Sequence, residues 1–247
     1  MGYRVKDEKK WPQGKIPYLF TAEMLKDEHK RFRKLIKECM AQWEEYLNEG
    51  KFYVQFVERT NEERYVQISP TDSGSTSSGE IGVPTERNYS NFTILTKRTV
   101  DNDTQMVINP KMSIPHELGH VLGLVHEQQR SRPLIEKGKA IAGTGDEANT
   151  EDPTKARLYY VGTQFMTKEL MFASWDRKYV PVGDYDLDSI MHYPSAAGWA
   201  WNYAPYQGEN GPAAAIAALN YPSAAQVIAK TWAPSLGDIA ALQELYR

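Results

Sequence analysis

Three of the chain's five histidines fall within eleven consecutive residues: His116-Glu117-Leu118-Gly119-His120-Val121-Leu122-Gly123-Leu124-Val125-His126. Imidazole nitrogens are good transition-metal ligands. A spacing of four stacks His116 and His120 on one helical face, where both can reach one ion. Glu117 projects beside them, placed to take a proton from water activated there and pass it to a departing amine. Gly123 allows a positive φ at which the helix can end, so that His126 returns to the same ion instead of continuing round the helix. Three neutral nitrogen ligands leave one coordination position open, as a catalytic zinc site requires; a closed structural site, the competing reading, would recruit a fourth Cys or His. With Ser113 as N-cap and Pro115 in the first turn, the helix would start just before its first ligand.

The flanking sequence supplies elements to hold such a helix. Residues 15–20 (KIPYLF) read as a strand, with Pro17 better suited to a strand start or sheet edge than to a central strand. From Thr21, a candidate N-cap, the apolar residues Phe32, Leu35, Ile36, Cys39, Trp43, Tyr46 and Leu47 recur on one helical face until Gly50. Phe52, Val54 and Phe56, then Val66 and Ile68, alternate as strands do, separated by the polar turn 60–63. Residues 71–79 form a Ser/Gly-rich loop, and 89–96 (YSNFTILT) offer one more strand. Loop-dominated stretches follow at 136–157 and 196–225. At the end, Leu236, Ile239, Leu242 and Leu245 mark a final amphipathic helix over 235–246.

Hydrophobic residues at 41% and charged residues at 25% suit a chain with a real core rather than a disordered one. The net charge of -3 gives no broad positive field, so nucleic acid is not an expected partner. No stretch approaches the roughly 20 apolar residues of a membrane span, and the N-terminus has no apolar signal-peptide core. The single cysteine, Cys39, lies in the helical stripe and reads as a small core residue. It can form no intrachain disulfide.

Two further stretches extend the histidine motif: its continuation His126-Glu127-Gln128-Gln129-Arg130, and downstream Ser189-Ile190-Met191-His192-Tyr193 after Tyr185-Asp186-Leu187-Asp188. Together they resemble the astacin family of metzincin zinc metalloendopeptidases. WPQGKIPYLF (residues 11–20) and GDIAALQELY (237–246) resemble the beginning and end of that family's catalytic domain, so the resemblance spans nearly the whole chain around a divergent middle.

The resemblance implies an α+β, metzincin-like two-subdomain fold, with residues 1–247 as one catalytic domain. About 1–126 would carry a twisted sheet and the zinc-binding helix, and about 127–247 a mostly irregular lobe with a final helix. It implies one catalytic Zn2+ on His116, His120 and His126. Tyr193 would be a swinging ligand whose hydroxyl can leave the metal to stabilise an oxyanion, and Glu117 the general base. Met191 would form the floor beneath the zinc, in a Met-turn. Glu127 would be the acidic residue toward which a processed N-terminus folds, near Gly2. The expected partner is a protein or peptide substrate bound extended in the cleft, pairing with the segment 78–82 as an added strand, and the expected state is a monomer. Without the family, Met191 reads as a core methionine and His192 as a turn residue.

The sequence also departs from the family. The disulfides of animal astacins are impossible with Cys39 alone; secretion or export is the expectation, and delivery to a reducing cytosol the alternative. After the Met-turn there is no arginine before Arg247, and Lys230 is the only lysine, so the family's basic specificity residue is missing. Trp199, Trp201, Tyr203, Tyr206, Tyr221 and Trp232 crowd that segment instead, as an aromatic-walled subsite or as lobe packing.

Overall fold

The computed structural model describes residues 3–48, 54–72, 77–96, 99–100, 107–108, 110–127, 141–142, 158–160, 179–183, 186, 188–192, 199–201 and 233–247. It is an α+β fold. In chain order the elements are β1 (Tyr3–Val5), β2 (Lys15–Phe20), α1 (Lys30–Leu47), β3 (Gln55–Glu58), β4 (Tyr65–Thr71), β5 (Ser78–Gly79), β6 (Tyr89–Leu95), the pair β7 (Thr99–Val100) and β8 (Val107–Ile108), and α2 (Pro110–Leu122). Then come β9 (Ile141–Ala142), β10 (Leu158–Tyr160), β11 (Tyr179–Pro181), β12 (Trp199–Trp201) and α3 (Leu236–Tyr246).

The main sheet has the order β3-β2-β4-β6-β5, parallel except for the antiparallel β5 at one edge. Parallel neighbours need crossover connections, and α1 lies in the one between β2 and β3. It buries Phe32, Ile36, Cys39, Met40, Trp43 and Leu47 and packs on β3, α2 and α3. α2 in turn touches β5 and β6, so the histidine helix sits between the sheet edge and α1. Three small sheets accompany the main one among the described residues: β1 pairs antiparallel with β11, β7 antiparallel with β8, and β10 with β9 and β12.

Several sequence expectations need correction. Thr21 caps only one turn, its hydroxyl accepting from Met24 N–H at 3.3 Å; the long helix starts at Lys30. Between them Arg33 donates to the carbonyls of Met24 and Lys26 at 2.6 and 2.7 Å, which fixes a non-helical approach. Pro17 stands in an interior strand, not an edge one. Pairing with β4 covers only Tyr18–Phe20, so at Pro17 the strand has a paired neighbour, β3, on one side only. Ser113 is not an N-cap and Pro115 is not in the first turn, because α2 begins at Pro110 and carries Pro115 inside. A proline at the first helical position is already preset for helix, which moves the start upstream; Ser113 instead shares a hydrogen bond with Ser77, Oγ to Oγ 2.9 Å. Leu236 is 87% exposed, since the buried face of α3 is set by Asp238, Ala241, Leu242 and Leu245. Part of the Ser/Gly loop, Ser78–Gly79, is strand; Phe52 lies outside the described residues.

Cys39 is buried as its place in the α1 stripe required, and burial raises its thiol pKa to about 11. A thiol this poorly ionised and this inaccessible reacts slowly. The native protein at pH 8 should therefore resist an aromatic disulfide reagent and react at one thiol only after denaturation, followed by absorbance. Immediate reaction of the native protein would contradict this packing.

Candidate metal centre

The geometry of the centre is set by how α2 ends. The last four carbonyls of a helix lack helical donors and need others. Leu124 N–H donates to Gly119 O at 2.8 Å and Gly123 N–H to His120 O at 2.9 Å, the paired bonds of a Schellman motif. Gly123 has φ +113, and a Cβ there would lie 2.9 Å from both Leu245 Cδ2 and Val5 Cγ2. Gly82 N–H also donates to His120 O at 3.0 Å, Trp11 Nε1–H to Val121 O at 2.8 Å, and the Tyr246 hydroxyl to Leu122 O at 2.9 Å. Three distant segments thus close one helix end. Higher up, Trp43 Nε1–H donates to Pro115 O at 3.1 Å.

The tightly ended helix brings the three histidines together. His116 Nε2 and His120 Nε2 lie 3.2 and 3.1 Å from His126 Nε2. On the far sides of two rings, His116 Nδ1 lies 2.7 Å from Ile190 O and His120 Nδ1 lies 2.9 Å from Leu124 O. A carbonyl only accepts, so in each ring Nδ1 carries the proton and a neutral Nε2 presents its lone pair inward. Burial pushes the His120 pKa down to about 4, which keeps that ring neutral near pH 7. A single proton on His126 Nε2 satisfies one facing lone pair at a time; a cation satisfies all three. Around a tetrahedral zinc with Zn–N distances of about 2.0–2.1 Å, ligand nitrogens lie roughly 3.3–3.4 Å apart, so the donor set fits that ion.

Glu117 is buried next to His116, and β5 lies against its backbone: a Cβ on Gly79 would be 2.6 Å from the Glu117 carbonyl oxygen. Met191 packs on the helix from the other side, its Sδ 2.6 Å from where a Cβ on Gly119 would stand. Glu127 is fully buried; its Oε1 accepts from Asp186 N–H at 3.0 Å, and its own N–H donates to Met191 O at 3.4 Å. His192 is buried and its N–H closes a turn onto Ser189 O at 3.0 Å. Tyr193 and Gly2 lie outside the described residues, as do Tyr203, Tyr206, Tyr221, Lys230 and Trp232. Reading by motif missed the carbonyls of Ile190 and Leu124, the indoles of Trp11 and Trp43, and Asp238. Only Asp238 had a local signal, the capping-box pattern Ser235-Leu236-Gly237-Asp238.

Imidazoles aimed at one point by HExxHxxGxxH spacing, with a glutamate beside them, make a donor set that could hold one zinc ion. The chain belongs to the astacin family of peptidases, matching the family model described as Astacin over residues 3–134. It is similar to Tolloid-like protein 2 of Homo sapiens, 26% identical over 251 residues, covering 97% of this chain and 19% of that protein. It is also similar to Bone morphogenetic protein 1 of Xenopus laevis, 26% identical over 193 residues, covering 75% of this chain and 21% of that protein. The chain spans about a fifth of the length of these curated relatives. Among solved structures it is similar to High choriolytic enzyme 1, a hatching enzyme zinc-protease from Oryzias latipes: 20% identity, TM-score 0.49, covering 96% of this chain and 92% of that one. Myroilysin is similar at 18% identity and TM-score 0.49, covering 99% and 98%.

Gly123→Ala tests the helix end. It would force a side chain into an unfavourable φ and against Leu245 and Val5, so we expect a loss of about 2–4 kcal/mol in denaturant unfolding. Stability within about 0.5 kcal/mol of wild type would show that the end can be rebuilt without glycine.

Proposed function

We propose that this chain is a zinc-dependent endopeptidase, a single catalytic domain over 1–247 that cuts protein or peptide substrates, with Glu117 as general base. The observation that carries the reading is the convergence of His116 Nε2 and His120 Nε2 on His126 Nε2, at 3.2 and 3.1 Å, while His116 and His120 spend their Nδ1–H groups on backbone carbonyls. His116, His120 and His126 hold the ion. Zinc bound there supplies Lewis acidity, making water nucleophilic near neutral pH and polarising the scissile carbonyl. Glu117, buried beside His116, takes the proton from the attacking water and delivers it to the leaving amine.

The other roles follow the fold around this pair. β5 is the last strand of the sheet and lies against Glu117, so an extended substrate added to its outer edge passes over the base. Backbone pairing at that edge asks for no particular side chain, which suits a chain lacking a basic specificity residue. Met191, packed on Gly119, is the apolar floor that keeps the helix from shifting beneath the ligands. Tyr193 follows closely in sequence and would serve as a phenol donor to developing negative charge and as a ligand whose hydroxyl can leave the metal. Glu127, buried behind the Met-turn, receives the processed N-terminus. No helix among the described residues is long and apolar enough to cross a membrane.

With an unstructured protein as substrate, wild type should show cleavage that a zinc chelator abolishes and added zinc restores. Glu117→Gln should keep zinc but lose about 10²–10⁴-fold in kcat. Full zinc-dependent turnover by Glu117→Gln would remove the base assignment, and a zinc-loaded wild type that cuts nothing would make the chain a peptide-binding relative.

A further inference from the structure

The turn that meets His116 is held from below by one buried carboxylate. Asp238, in the first turn of α3, is fully buried. Its Oδ1 accepts from the Ser189 hydroxyl at 2.6 Å, and its Oδ2 accepts from Ile190 N–H at 2.8 Å and Ser235 N–H at 3.0 Å. Asp238 N–H donates to Ser235 Oγ at 3.0 Å. A capping box needs only the two bonds with Ser235. The bonds to Ser189 and Ile190 are additional, and they come from 48 and 49 residues away in sequence.

The Ser189 hydroxyl, donating to Asp238, accepts from Met191 N–H at 3.0 Å. Met191 N–H and the Ile190 carbonyl belong to one planar trans peptide and point in opposite directions. Fixing that N–H toward Ser189 and Asp238 therefore aims the Ile190 carbonyl the other way, at His116 Nδ1, 2.7 Å distant. That bond sets the tautomer and the plane of the His116 ring. Two neighbours brace the same unit: Ser235 Oγ–H donates to Asp186 Oδ2 at 2.6 Å, and Asp186 N–H to Glu127 Oε1 at 3.0 Å.

We propose that Asp238 is a positioning residue for the metal centre, acting through Ser189 and the 190–191 peptide to present His116 Nε2 to the ion. The inference rests on the reading that the histidines bind zinc. Its effect therefore falls on metal affinity as well as on fold stability. Partners of metal-ligating histidines are typically worth 10–100-fold in affinity, and Asp238 stands one step behind the carbonyl partner.

The test measures zinc dissociation constants by competition with a chromophoric chelator, together with the visible absorption of the cobalt(II)-substituted protein. Asp238→Asn replaces one acceptor oxygen with a donor, and Ser189→Ala cuts the relay to Met191 N–H while leaving the capping box whole. Both should weaken zinc binding about tenfold and shift the cobalt bands. Leu242→Ala, on the same helix and buried but without a polar link to the turn, should lower the unfolding temperature while leaving zinc affinity within about twofold of wild type. If Asp238→Asn and Ser189→Ala lose only thermal stability and match wild type in zinc affinity and cobalt spectrum, Asp238 is a helix cap and the proposal falls. A wild-type chain that binds no zinc would overturn the metal reading itself, and this inference with it.

Discussion

A helix that must present ligands from its last turn has a particular difficulty: its final carbonyls have no helical partners, and buried carbonyls left without donors cost on the order of 1–3 kcal/mol each. In this protein the last turn of α2 lies under the core, with Val121, Leu122 and Leu124 fully buried. Gly123 and Leu124 turn back to satisfy Gly119 and His120, and Gly82, Trp11 and Tyr246 supply the remaining donors. Each donor belongs to a different part of the chain, so closing this helix end also fixes where those parts sit. β1 joins the same knot through Val5 N–H to Gly123 O at 2.8 Å, and Arg4 ties β1 to α3 through Glu244 at 3.1 Å.

This knot accounts for a chain with one cysteine holding a precise site. A disulfide would act mainly on the unfolded chain, by shortening its loops. Hydrogen bonds to helix-end carbonyls act on the folded state, where their absence would leave orphaned acceptors in a dry interior. The second anchor works alike: Asp238 and Glu127 are both fully buried, and both accept from backbone N–H groups at or near the Met-turn. Polar groups buried here specify position because each has a partner it cannot exchange for water.

The parts legible in the sequence were those whose cause is local. Spacing of four between His116 and His120, a glycine at 123, and the apolar stripe of α1 each state a backbone geometry within a few residues. Where a rule of the same kind failed, another local preference had overridden it: Pro110 set the start of α2 ahead of Ser113, and Asp238 turned the buried face of α3 away from Leu236. The interior place of β2 and the indole donors from Trp11 and Trp43 were not legible, since they depend on which segments meet across separations of 40 to 110 residues. Met191 and Glu127 were reached through resemblance alone. Without the family, Met191 reads as a core methionine.

The convergence of the imidazoles also orders folding and metal binding. With His116 and His120 holding protons on Nδ1, two lone pairs converge on His126 Nε2 within 3.2 Å, an arrangement that a cation between them would satisfy more fully than one proton can. A proton is a poor substitute, because burial pushes the His120 pKa down to about 4. The ring planes are set by the helix end and by the carbonyls of Leu124 and Ile190. Zinc bound there would add its binding free energy to that of the fold. The scaffold and a bound metal would then favour the same geometry, and ligands that stay neutral would leave the ion's positive charge undiminished for chemistry at an open position.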